Sequence, residues 1–324
     1  LSKTGDLMKV FSDMLMTTKQ LVKEKIVMEL NNHSINSVLI VGGTHGNELT
    51  GVCFVKRVQQ HPELIHRATF ESLTLLANPQ AIKAGRRYID KDLNRSFSEE
   101  SLEDASLVNY EDLLAKKLNY LYGQNGKYPV DFIVDLHSTT SQMGVTILLD
   151  DDKQFNLQLA AYLSSLDPEI KIYSSGSSGR GKHGLRSLAK FAIGIEVGAI
   201  PQGVVNADLF LKTQTIVYEV LDYLELYNQN KLPTFTNSFT LYKYLEKIDY
   251  PRNEQGEITA MIHPQIQFKD YQALNPNDPM FLTFDGQTIT YAGESPAYPI
   301  FINEAAYYEQ STAMCLTQKH QITI

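Results

Sequence analysis

Cysteine is almost missing from this 324-residue chain: Cys53 and Cys315 are the only two. They lie far apart in sequence, Cys53 inside a helix-like run. Neither a disulfide framework nor a cysteine-ligated zinc site is therefore supported, and a reducing cytoplasm is the expected compartment. Long apolar runs are also missing. No stretch approaches the roughly 20 apolar residues that a membrane span needs, and the N-terminus lacks the basic-then-apolar order of a secretory signal. No membrane partner is expected. Positive charge is outweighed, with 29 Lys and Arg against 37 Asp and Glu and a formal charge of −8. An acidic surface repels phosphates, so nucleic acid is not an expected partner, and any anionic ligand must be met by a local group of cations. There is no internal repeat and no low-complexity tract.

What is present reads as an ordinary globular protein. With 43% hydrophobic and 20% charged residues, the chain is long enough for a substantial core and more than one domain. Residues 6–27 place Leu7, Phe11, Met14, Leu15, Leu21, Val22 and Ile26 at helical spacing, which predicts a helix in an N-terminal extension, 1–34, of no assigned role. From residue 37 the texture becomes strand, turn and helix: SVLIVGG, then NELTGVCFVKRVQQ with an Asn near the helix start. Strands are predicted at 70–78, 130–137, 143–150 and 191–198, and helices at 103–123, 154–166 and about 205–227. Alternation of this kind predicts an α/β domain over 35–230, a largely parallel or mixed sheet flanked by helices on both sides. SSGSSGRGKHG (174–184) reads as its flexible loop. After Asn228 the composition shifts to short β-like runs broken by NEQGE, NPNDP, FDGQ and AGESP, so 231–324 reads as a second, smaller, mostly β domain.

Chemistry in α/β sheets gathers at the carboxyl ends of strands. The first such end carries VGGTHGNELTG with His45 and Glu48, another carries VDLHSTT with Asp135 and His137, and FAIGIEVG ends with Glu196. His45, Glu48 and His137 make a His₂Glu set, which leaves a tetrahedral zinc one open position for water. Alternation puts Asp135 on the same strand face as His137, where it can orient the ring. Glu196 leaves an apolar strand, where poor solvation raises a carboxyl toward a working general base. Blander readings stand beside these. GGTHGNE equally suits a phosphate held by backbone amides, two histidines 92 positions apart need never meet, Glu196 equally suits a structural carboxylate capping a helix, and the Lys and Arg residues of 86–95 equally suit a solvated surface.

Taken in order, GGTHGNELTGV, NPQAI, RRYIDKDLNRSF, DLHSTT, GIEVG with PQG, KIDYPR, DPMFLTFDG and YPIFINEAAYYE resemble the zinc-dependent aspartoacylase and succinylglutamate desuccinylase family, from about Val38 to about Glu309. The resemblance implies a carboxypeptidase-like α/β domain and a C-terminal β domain that narrows the site entrance. It implies hydrolysis of N-acetyl-L-aspartate to acetate and L-aspartate by zinc-activated water, with one zinc per chain. The family's metal ligands fall on His45, Glu48 and His137 and its general base on Glu196. Arg87 falls on the residue that polarises the scissile carbonyl, and Asn94 and Arg95 on those that hold the α-carboxylate. Arg186 falls on the residue that binds the β-carboxylate, and Tyr307 on a substrate-contacting tyrosine. Lys182 stands where the family pattern has a tyrosine, an added cation beside the substrate. The expected ligand is thus a small acidic N-acyl amino acid, with N-succinylglutamate or neutral N-acyl amino acids as the alternative, and the expected assembly is a homodimer.

Overall fold

Val38, Leu39, Ile40 and Val41 are each fully buried, because the strand they form has helices on both of its faces. The computed structural model describes residues 34–233 and 238–324; the helix expected at 6–27 lies outside them. Strand β1 (Ser37–Gly42) leads into helix α1 (Leu49–Gln60), followed by β2 (Glu71–Leu76), α2 (Pro79–Ala84), α3 (Glu99–Glu103), α4 (Tyr110–Tyr122), β3 (Phe132–Ser138), β4 (Gly144–Leu149), α5 (Gln154–Leu166), β5 (Lys171–Ser174), β6 (Phe191–Gly198) and α6 (Ala207–Asn228). The C-terminal part adds β7 (Ser238–Ile248), β8 (Ala260–Ile262), β9 (Pro279–Thr283), β10 (Thr288–Thr290), β11 (Tyr298–Ile300) and β12 (Met314–Thr323).

One nine-stranded sheet runs β11-β12-β7-β5-β4-β6-β3-β1-β2, and a three-stranded sheet runs β10-β9-β8. β2, β1, β3 and β6 are mutually parallel, whereas β4 lies antiparallel to β6. The sheet is therefore mixed. Alternate residues of β1 feed two cores: Val38 and Ile40 pack with Phe54, Phe132, Phe155 and Val217, while Leu39 and Val41 pack with Leu118, Ile133 and Leu185. Strands apolar on both faces suit only a sheet covered on both sides. Strands β7, β12 and β11 extend this same sheet past residue 231, so the C-terminal segment is continuous with the main sheet as well as carrying the small one.

Three local expectations change. The helix expected over 103–123 begins only at Tyr110, as α4, with the separate α3 ending at Glu103, and the Asp104 carboxylate accepts from Ser106 N at 2.8 Å and from Ser106 Oγ at 2.6 Å, a turn that competes with helix. The segment read as a flexible loop at 174–184 instead begins with the end of β5 and continues as 3₁₀ turns, Gly176–Ser178 and Arg180–His183. The helix α1 is capped by Glu48 and not by its neighbouring Asn, and the Glu48 carboxylate makes no capping hydrogen bond. Among the described residues no helix is long and apolar enough to cross a membrane.

Candidate metal centre and active site

The turn after β1 brings two donors to one point. Its backbone is packed hard against α2: a Cβ on Gly46 would lie 2.2 Å from the carbonyl carbon of Ala81, and Gly46 N donates to Arg87 O at 3.1 Å. No larger residue fits there. Held this way, His45 Nδ1 meets Glu48 Oε1 at 2.6 Å. β3 runs parallel to β1 and delivers His137, whose Nδ1 meets Glu48 Oε2 at 2.9 Å. The candidate ligand atoms of His45, Glu48 and His137 all lie within 4.8 Å of one another, and all three residues are buried. The two histidines 92 positions apart do meet.

The outer nitrogen of each ring is held by a carboxylate. His137 Nε2 meets Asp135 Oδ2 at 2.8 Å, and Asp135 Oδ1 accepts from Thr44 Oγ1 at 2.8 Å. His45 Nε2 meets Asp92 Oδ1 at 3.0 Å. This is the arrangement that fixes ring orientation at metal centres. Burial favours neutral groups here, but the charges prevail. Asp135 and Glu48 hold His137 well above the ordinary imidazole range, and the two rings hold Glu48 well below the usual carboxylate range. Asp92 is likewise held down, by His45 and Arg87. Glu48 is therefore a carboxylate held between the two rings. Imidazole and carboxylate donors of this number suit zinc.

Glu196 stands beside His137, since β6 pairs with β3 in the register His137↔Glu196. It is 7% exposed. Burial, helped by the Glu48 and Glu304 carboxylates, pushes its carboxyl up to about 8. Arg87 reaches the same cavity, but its guanidinium is engaged: Nη1 donates to Glu48 at 3.0 Å and Nη2 to Asp92 at 3.2 Å, while the buried Nε meets no acceptor. Asn94 accepts Leu185 N at 2.8 Å through Oδ1 and turns Nδ2 toward His137. Arg95 donates to Asn94 O at 2.8 Å, with Gln310 at 3.4 Å. Asn94, Arg95, Arg186 and Tyr307 line the same cavity as the His₂Glu set, Arg87 and Glu196. The side chain of Lys182 lies outside the described part of the structure.

Four carboxylates with clear roles here were not singled out from the sequence. Asp92 sits two residues before Asn94 in DKDLNR, where it also accepts Asn94 N at 2.9 Å. Asp150 follows β4 and grips Arg186; its place at a strand's carboxyl end was the available signal. Glu304 accepts from Thr139 Oγ1, from Thr140 N at 2.7 Å and from Thr140 Oγ1 at 3.0 Å. Asp270 accepts Gln142 N and Ile302 N, each at 3.1 Å. Together the last two tie the loop after His137 to the C-terminal segment, and nothing local in the sequence announces such a contact.

A family model described as the succinylglutamate desuccinylase/aspartoacylase catalytic domain matches residues 34–224, and the AstE/AspA barrel-sandwich hybrid domain matches residues 237–319. The chain is 53% identical over 290 residues to a probable aspartoacylase of Nostoc sp., covering 90% of this chain and 98% of that one. It is 42% identical to an N-acyl-aromatic-L-amino acid amidohydrolase of Xenopus tropicalis, covering 88% and 94%. The crystal structure of murine aminoacylase 3 superimposes with a TM-score of 0.84 at 36% identity, covering 90% of this chain and 98% of that one.

Proposed function

Because the chain belongs to the succinylglutamate desuccinylase/aspartoacylase family and is a hydrolase of N-acyl amino acids, we propose that it removes the acetyl group of N-acetyl-L-aspartate in a reaction that needs zinc. The single observation that carries this reading is the convergence of His45 Nδ1, Glu48 and His137 Nδ1 with Glu196 at one buried cavity. His45, Glu48 and His137 are the residues that would hold the ion, and Asp92 and Asp135 would keep the rings turned toward it. A zinc ion bound there supplies Lewis acidity, which polarises a carbonyl oxygen and makes water a better nucleophile near neutral pH.

The protein's own groups account for the rest. Arg95 and Asn94 receive the α-carboxylate, since a planar guanidinium suits bidentate capture. Arg186, which lines the same cavity, receives the substrate side chain. Arg87 adds positive charge beside the carbonyl oxygen on which negative charge grows. Glu196 takes a proton from the attacking water, whose oxygen joins the acyl carbon. As the carbon–nitrogen bond breaks, Glu196 returns that proton to the leaving nitrogen, giving acetate and L-aspartate. A carboxyl raised to about 8 by burial is strong enough as a base for the first transfer and acidic enough for the second. The test is a panel of N-acyl amino acids, varied in acyl length and side-chain charge, given to zinc-loaded protein. Release of aspartate from N-acetyl-L-aspartate, abolished by removing the metal, is expected; a zinc-replete protein that leaves every N-acyl amino acid intact would overturn the reading.

A further inference from the structure

Arg186 is not a free cation. Its Nε donates to Asp150 Oδ2 at 2.6 Å and its Nη2 to Asp150 Oδ1 at 2.6 Å, a two-point grip in a partly buried wall. A second carboxylate, Asp135, lies 3.9 Å from its Nη1. Both partners are packed closely against glycine backbone. The guanidinium lies over the backbone of β6, where a Cβ on Gly194 would come within 2.6 Å of Nη1, and a Cβ on Gly181 would come within 2.5 Å of Asp150 Cβ. The sequence supplies glycine at both places, so the pair is built into the wall.

The consequence is a balance of charge. Arg186 contributes one positive charge to the side-chain end of the cavity, and Asp150 cancels it there; Asp135 is already committed to His137 and Thr44. We infer that Asp150 is the specificity-determining residue of this site: it leaves the edge of Arg186 as a hydrogen-bond donor while removing its net attraction for a second carboxylate, so acidic and neutral polar side chains are accepted alike. This rests on the proposed reading that Arg186 receives the substrate side chain. An ionic neighbour at a partly buried site changes binding by about one to two decades.

The experiment uses two ligands of the same shape, N-acetyl-L-aspartate and N-acetyl-L-asparagine, titrated calorimetrically into zinc-loaded Glu196→Gln protein, in which turnover is slowed by roughly 10²–10⁴. With Asp150 intact, the two dissociation constants agree within about fivefold. Adding Asp150→Asn moves their ratio toward aspartate by about tenfold or more, and in an Arg186→Gln background the same change leaves the ratio where it was. A merely structural role would weaken both ligands together and leave the ratio unmoved. Asp150→Ser is the second variant should the amide fail to fold. A preference for aspartate above about fivefold with Asp150 in place, a ratio indifferent to Asp150, or a shift that persists without Arg186 overturns the inference. Hydrolysis by the wild-type enzyme is assayed separately. Its absence beside the expected binding ratio counts against the deacylase reading alone, normal hydrolysis with an unmoved ratio counts against Asp150 alone, and failure of both ligands to bind counts against both.

Discussion

Replacing Asp92 by Asn changes one oxygen for an amide and leaves the volume nearly the same. Asp92 Oδ1 faces His45 Nε2 at 3.0 Å and accepts Asn94 N at 2.9 Å, while Oδ2 accepts Arg87 Nη2 at 3.2 Å. In the variant Oδ1 can still face the first two partners but without the carboxylate charge that strengthens its contact with the His45 ring, and an NH₂ group faces the Arg87 guanidinium, donor against donor. Arg87, whose buried Nε already has no acceptor, loses one of its two carboxylate partners and keeps only Glu48. A hydrogen bond to a charged group contributes about 1.5–3 kcal/mol, and tenfold in an equilibrium constant corresponds to about 1.4 kcal/mol. The expected outcome is therefore zinc binding weaker by roughly 10- to 100-fold, the range found for outer partners of ligand histidines. Competition against a chromophoric chelator measures this directly, and circular dichroism reports whether the fold survives. Zinc affinity within about threefold of wild type in a folded variant would refute the argument that the Asp92 charge supports His45 as a ligand.

Other outcomes follow from the same geometry. Glu196→Gln should lower kcat by roughly 10²–10⁴ with zinc content unchanged, because Glu196 is not among the three clustered donors; loss of metal together with activity would point instead to a structural role. Gly46→Ala drives a methyl into the Ala81–Ile82 backbone and should cost about 3 kcal/mol or more in urea unfolding, whereas an unchanged midpoint would mean that the turn can move. Asp270 supplies a pH test: burial pushes its carboxyl up to about 7, against the pull of the Ile302 and Gln142 N–H donors. A folded pKa raised above the ordinary 3.8 means that the native state binds this proton more tightly, so the contribution to stability is present at low pH and is lost between about pH 4 and pH 7. The stability of wild type relative to Asp270→Asn should fall across that window, and a difference independent of pH would show that Asp270 titrates normally.

The sequence by itself determined the α/β frame and the ends of strands at which chemistry gathers. Continuous apolar runs such as VDFIVDLH and FAIGIEVG are stable only in a sheet covered on both faces, and polar residues at their ends mark where the chain leaves that shelter. His45, Glu48, His137 and Glu196 were legible for this reason, and the family resemblance added Arg87, Asn94, Arg95, Arg186 and Tyr307 because those segments keep their order along the chain. Tertiary structure alone decided which charges meet. Asp92 against His45 spans 47 positions, Asp150 against Arg186 spans 36, and Glu304 against Thr139 spans 165, and no local periodicity encodes such pairings. It also delayed the helix expected at 103–123 to Tyr110, where one aspartate side chain outcompeted the backbone, and joined β7, β12 and β11 of the C-terminal β domain to the main sheet. Propensity acts over a few neighbouring residues, whereas an ion pair or a sheet edge depends on where the whole chain has already gone.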